Sequence, residues 1–91
     1  MVDLSIIFPC YNEEKNLVLL IKKIIATKKK NYKTKIEFIL VNNGSTDNTA
    51  LLLRKLNHKK LFKIINIKKN LGYRGGIIKG LFFAKGKIIS W

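Results

Sequence analysis

The sequence predicts an α/β fold: a three-layer, doubly wound, mainly parallel sheet, present as a β-α-β-α-β-α-β succession. Two runs carry that reading. Leu4-Ser5-Ile6-Ile7-Phe8 breaks into Pro9-Cys10-Tyr11-Asn12-Glu13-Glu14, and Ile36-Glu37-Phe38-Ile39-Leu40-Val41 breaks into Asn42-Asn43-Gly44-Ser45-Thr46-Asp47. Short β-rich segments that end in turn chemistry and then helix read as carboxyl ends of parallel strands. In open α/β sheets that edge binds ligands. The third observation is a helical stripe, Leu17, Leu20, Ile21, Ile24 and Ile25, at i, i+3, i+4, i+7 and i+8.

The first strand is expected over about residues 3–9 and the first helix over about 12–29. Asn12 is the expected cap, with Glu13 and Glu14 placing negative charge in the first turn. Lys28-Lys29-Lys30 reads as a solvated helix end, where cations suit the macrodipole. The second strand follows over about 35–42 and the second helix over about 46–58. Ser45 or Thr46 would cap that helix, Asp47 would lie in its first turn, and Leu52 and Leu56 would face inward. Phe62 to Ile67 gives the third strand. After Asn70-Leu71-Gly72 a third helix is expected over about 73–84, with Ile77, Leu81 and Ala84 on one face and Gly86 stopping it. Lys87-Ile88-Ile89-Ser90-Trp91 begins a fourth strand. A central strand of a doubly wound sheet is long and covered on both faces, so a chain ending there reads as cut rather than finished.

Composition narrows the function classes. At 47% hydrophobic residues the chain can bury a core, as one small domain or a piece of a larger one. No apolar stretch approaches the roughly 20 residues of a membrane span. Asp3 and the turn at Pro9 do not fit a secretory leader, which makes the cytoplasm the expected location. Cys10 is the only cysteine, so no internal disulfide framework exists, and it reads as a small buried hydrophobe. His58 is the only histidine and reads as a surface or internally satisfied side chain. The net charge of +14 favours polyanions or phosphorylated substrates, yet the lysines are scattered through every segment, alongside many Ile and Asn. A low-GC genome would produce the same bias.

The motifs carry more. Pro9-Cys10-Tyr11-Asn12-Glu13-Glu14 after the first strand, and Val41-Asn42-Asn43-Gly44-Ser45-Thr46-Asp47-Asn48-Thr49 after the second, resemble the family 2 glycosyltransferases, which include the polyprenyl-phosphate sugar synthases. Asn70-Leu71-Gly72-Tyr73-Arg74-Gly75-Gly76, with Gly80 and Ala84-Lys85-Gly86, is similar to the family's third segment. Three ordered motifs on a matching βα frame make the resemblance specific. It implies a Rossmann-like, glycosyltransferase A-type sheet that binds a nucleotide diphosphate sugar. It implies, in a complete enzyme, inverting transfer of the sugar to an acceptor hydroxyl or phosphate, with a lipid phosphate or a glycan as acceptor. Peripheral association with the inner face of a membrane is a further expectation.

The candidate donor-binding residues are Pro9, Tyr11, Glu13, Asn42, Asn43, Ser45, Gly72, Arg74 and Gly75. Pro9 and Tyr11 can form a shelf for a flat base, although Tyr11 also suits plain packing at a strand exit. Glu13 can accept hydrogen bonds from a base or ribose, or serve only as helix N-terminal charge. Asn42 and Asn43 stand where the family usually carries at least one Asp; an amide keeps a carbonyl acceptor, loses the charge and adds a donor. With Gly44 and Ser45 they also suit a turn and a cap. Gly72, Gly75 and Gly76 let backbone approach closely at a helix start, where Arg74 offers a planar donor fork to a diphosphate. A glycine-rich helix entry with an exposed Arg is the alternative.

The family's Asp-x-Asp type motif, which holds a divalent Mg or Mn ion on the diphosphate, would be expected after Trp91. None of the 5 acidic residues substitutes for it. No catalytic residue and no metal ligand is therefore expected in this chain, which is expected to be inactive alone and prone to self-association. Two other functions compete: a nucleotide-binding remnant without transfer activity, and a small basic nucleic-acid-binding protein. The last has the charge but no recognition helix or aromatic platform.

Overall fold

The computed structural model describes residues 1–57 and 59–91, so the expectation for His58 lies outside the described residues. The strands are β1 (Leu4–Cys10), β2 (Ile36–Asn43), β3 (Lys63–Ile67) and β4 (Ile88–Ser90). The helices are α1 (Leu17–Lys30), α2 (Thr49–Leu56) and α3 (Gly72–Leu81). One sheet runs in the order β3-β2-β1-β4 with every neighbouring pair parallel. The chain steps outward from β1 through β2 to β3, then returns to the other side of β1. That reversal puts the topological switch point between β1 and β4.

Alternation along the strands builds the three predicted layers. Phe38, Leu40 and Cys10 point to one face and pack with Leu17, Ile21 and Ile24 of α1 and Leu53 of α2. Ile7, Ile39 and Val41 point to the other, where α3 lies. Two glycines set the approach of α3: a Cβ on Gly80 would meet Ile7 Cγ2 at 2.5 Å, and one on Gly76 would meet Pro9 Cβ at 3.1 Å.

Several boundaries differ from expectation, each for a local reason. α1 starts at Leu17, behind Asn16, and no acidic residue lies in its first turn. Asn12 cannot cap it, because Asn12 sits at φ 50° and directs its side chain to another loop. Likewise α2 begins at Thr49 behind Asn48, and neither Ser45 nor Thr46 caps it. Instead Asp47 Oδ1 accepts Thr49 N at 2.9 Å. Leu53 is the fully buried hydrophobic residue of α2, while Leu52 and Leu56 are half-buried against the same cluster. α3 ends at Leu81, before Gly86; Leu81 is exposed, whereas Ala84 packs on the second cluster. Nor is the Lys28–Lys30 end wholly solvated. Lys28 Nζ donates to Leu61 O at 2.6 Å and lies 5.8 Å from the Phe38 ring centroid, joining α1 to the β3 entry.

The connection from α3 to β4 is pinned to the sheet by Glu37. Its Oε2 accepts from the fully buried Ser5 hydroxyl and from Lys85 N, and its Oε1 lies 3.2 Å from Lys63 Nζ. Ser5 Oγ in turn accepts Gly86 N at 2.8 Å. Burial pushes the Glu37 carboxyl up, but the bonds from Ser5, Lys85 N and Lys63, with the Lys63 charge, outweigh it and hold it below its ordinary value. A depressed folded value stabilises the fold above the unfolded value, and that contribution disappears as pH falls through the folded one. In denaturant titrations between about pH 6 and 3, Glu37→Gln is expected to flatten the acid loss of stability relative to wild type. Parallel profiles for the two chains would contradict this.

Candidate functional site

The carboxyl edge is formed by the loops leaving β1, β2 and β3. Strand register fixes their relative heights: Cys10 pairs with Asn42, and Asn42 with Asn66, across three strands. The three loops are then joined by side chains. Asn43, 2% exposed, accepts Leu71 N at 3.0 Å through Oδ1 and donates Nδ2 to Gly72 O at 2.8 Å. One backbone donor and one backbone acceptor thus fix the orientation of its amide. Asn42 donates to Asn66 Oδ1 at 3.1 Å and accepts Ser45 N at 3.4 Å. Asn42 therefore holds the loop that follows its own strand, and Asn43 the loop that follows β3. Among the described residues no buried side-chain nitrogen or oxygen is left without a partner.

Between the first two loops the links are denser. Asn12 Oδ1 accepts Thr46 N at 2.8 Å and Asp47 N at 3.3 Å, and Asn12 N donates to Ser45 Oγ at 3.1 Å. Glu13 N donates to Thr49 Oγ1 at 2.9 Å, and the Thr49 hydroxyl donates to Asp47 Oδ1. Burial pushes the Asp47 carboxyl up, yet hydrogen bonds from Thr49 and the Glu14 amide overcome it and hold the group below the usual carboxylate range.

The candidate residues occupy distinct places on this edge. Pro9 lies beneath Gly76 of α3. Tyr11 is exposed. Glu13 accepts Asn16 Nδ2 at 3.0 Å through Oε2 and borders a cleft of about 350 Å³ between β1 and α1 that also touches Phe8, Leu17 and Leu20. Gly72 adopts φ 77° with open space where a Cβ would be, and Gly75 packs on Leu71. Arg74, in the first turn of α3, faces a cleft of about 300 Å³ shared with Tyr73, Ile77, Ile78 and Trp91, on the switch-point side of the sheet. Tyr11, Asn43 and Arg74 thus belong to one edge. Asn12, next to Tyr11, bonds the residues just after Asn43, and Asn43 bonds the residues just before Arg74.

Sequence reasoning missed Asn12, Thr49 and Asp47 as the links between loops. The one available signal was the choice of Asn at position 12, a residue type enriched at positive φ. Cys10 is 2% exposed and donates to Phe8 O at 3.5 Å. Burial, and then the Glu13 charge, push its thiol up to about 12, which leaves no reactive thiolate near neutrality. The carboxylates of the edge do not fit a hard-cation site. Asp47 is engaged by Thr49 and two backbone amides, and among the described residues no three metal-ligating side chains come together. Among the described residues, no helix is long and apolar enough to cross a membrane.

Comparison with known proteins places this edge in context. The chain is 33% identical over 93 residues to the dolichyl-phosphate beta-glucosyltransferase of Saccharomyces cerevisiae, covering 94% of this chain and 28% of that protein. It is 30% identical over 91 residues to the dodecaprenyl-phosphate galacturonate synthase of Rhizobium johnstonii, covering 98% of this chain and 27% of that one. Its fold superposes with a TM-score of 0.65 and 25% identity on a mannosyltransferase from Pyrobaculum calidifontis, solved in complex with GDP-Man and Mn2+. That match covers 94% of this chain and 25% of the other. The chain therefore spans little more than a quarter of the length of these relatives. Matched by the family profile over residues 5–91, the chain belongs to glycosyl transferase family 2.

Proposed function

We propose that residues 1–91 form the donor-binding portion of a glycosyltransferase domain, and that the complete enzyme transfers a hexosyl group from a nucleotide diphosphate sugar, with inversion, to an acceptor hydroxyl or phosphate. The observation that carries this is the lacing of the three loops onto one carboxyl edge by Asn12 and Asn43. Pro9 and the exposed Tyr11 would receive the base, and Glu13 with the Asn42–Ser45 turn would border base and ribose. Gly72, Gly75 and Arg74 at the α3 entry would meet the diphosphate. The names of the yeast and rhizobial relatives support a lipid phosphate as acceptor, and work at the inner face of a membrane is part of the same proposal. The manganese of the archaeal neighbour supports a divalent cation in the complete enzyme; among the described residues no three metal-ligating side chains come together to hold it.

The donor-binding portion would be inactive by itself; sugar transfer by purified residues 1–91 would contradict that. The exposed Ile88 and Trp91 beside the edge strand would favour self-association. Calorimetric titration of residues 1–91 with GDP and with UDP tests the donor site directly. Saturable binding of at least one is expected. Binding of neither, together with tight, salt-sensitive binding of arbitrary DNA, would replace this reading by a nucleic-acid one.

A further inference from the structure

We propose that Asn12 is a positioning residue for the donor edge, a clasp that fixes Tyr11 and Glu13 against the β2–α2 loop; the inference rests on the donor-binding reading above. Asn12 has φ 50°, a left-handed conformation that side chains other than Asn, Asp or Gly adopt at a cost. Among the described residues, Lys60 is the only other non-glycine at positive φ. The unusual backbone serves a purpose visible in the contacts. It turns the side chain across the gap between loops, where Oδ1 collects Thr46 N at 2.8 Å and Asp47 N at 3.3 Å. Nδ2 donates to Thr46 Oγ1 at 3.2 Å, and the Asn12 backbone N donates to Ser45 Oγ at 3.1 Å.

The clasp is continuous with its neighbours. Glu13 N reaches Thr49 Oγ1 at 2.9 Å, so successive residues of the first loop are tied to partners 33 to 36 positions away. Tyr11, immediately before the clasp, is exposed, and among the described residues its side chain makes no hydrogen bond. The backbone that Asn12 fixes is therefore what positions the start of its side chain where a base would stack. The bonds of Asn12 lie at the exposed surface, away from both core clusters. Removing them should loosen the edge while leaving the sheet and its core in place. A structural residue of the core would do the reverse.

Three variants separate backbone from side chain. Asn12→Gly keeps the left-handed backbone and deletes the side chain. Asn12→Asp keeps the Oδ1 acceptor, and Asn12→Ala loses both. Each is compared with wild-type residues 1–91 by GDP and UDP titration, thermal melting and amide hydrogen exchange. The glycine variant is expected to bind the preferred nucleotide about tenfold more weakly, with a melting curve close to wild type. The aspartate variant should recover most of that loss. The Thr46 and Asp47 amides should exchange faster in the glycine and alanine variants than in wild type. Equal nucleotide affinity for Asn12→Gly and wild type would overturn the proposal. So would unchanged exchange at Thr46 and Asp47, whether or not a nucleotide binds. A wild type that binds neither nucleotide sinks the donor-site reading and the positioning role with it, while the exchange rates still report whether the clasp exists.

Discussion

Asn43→Asp is expected to destabilise the chain by about 2 kcal/mol at neutral pH, although the family resemblance implies at least one Asp at the Asn42-Asn43 pair. Asn43 is 2% exposed and its amide is matched to Gly72 O on one side and Leu71 N on the other. A carboxylate can still accept from Leu71 N. It cannot donate to Gly72 O, and it sets two acceptors face to face in a buried place. The sign of the pH dependence follows. Protonation would let the introduced carboxyl donate to Gly72 O, so the folded state binds that proton more tightly than the unfolded one. The group's folded pKa is raised, and the deficit relative to wild type should shrink as pH falls. Denaturant melts of both chains across acid and neutral pH check this. A variant equal to wild type at neutral pH, or one whose deficit grows toward acid, would show that the amide does not clamp the α3 entry.

Gly44→Ala should do more harm still, on the order of 3 kcal/mol, or a fall of about 10–20 °C in melting temperature for a domain of this size. Two causes coincide there. Gly44 holds φ 68°, and a Cβ would fall on the backbone of the next loop, at Asn70 N and at Lys69 C. Backbone cannot swing aside as a side-chain tip can. Gly72 provides the comparison, because its φ of 77° is similar but nothing lies within 4 Å of the added carbon. Gly72→Ala should therefore cost only the conformational part, about 1 kcal/mol. Equal losses at the two positions, measured by the same melts, would mean that the close approach of the second and third loops contributes nothing.

The fold was readable because its signals are periodic. Continuous apolar runs such as Phe38 to Val41 mark a strand covered on both faces, and all four of those residues are buried. The Leu17, Ile21 and Ile24 stripe marks the face that α1 buries. Helix starts were not readable, for one shared reason. Ser, Thr, Asn and Asp near a helix start can cap that helix or bond elsewhere, and propensity does not tell the two apart. Asn12 bonds the neighbouring loop, Asp47 rather than Ser45 or Thr46 receives the first amide of α2, and both helices start later than expected. Leu52 and Leu56 do mark the inward side of α2, but that stripe is about 100° wide and also takes in Leu53, which the pair alone does not single out. At the candidate site the sequence pointed to three strand-exit loops, which the structure brings to one edge. It did not distinguish side chains that face solvent, such as Tyr11 and Arg74, from those fully engaged in holding loops, such as Asn43. That division depends on partners 28 and 29 positions away, which no local pattern encodes.

The asparagine bridges have a consequence for how charge can be met at this rim. Helix entries commonly offer bare peptide N–H groups to an incoming anion. Here neutral amide oxygens already sit on several of them: Thr46 and Asp47 under Asn12, Leu71 under Asn43, Gly72 under Asn70. A phosphate arriving ahead of the second helix would find the Thr46 and Asp47 amides taken and the Asp47 carboxylate alongside. Pyrophosphate recognition in this protein would therefore lean on the long, solvent-facing guanidinium of the third helix, and its strength should fade as salt is added.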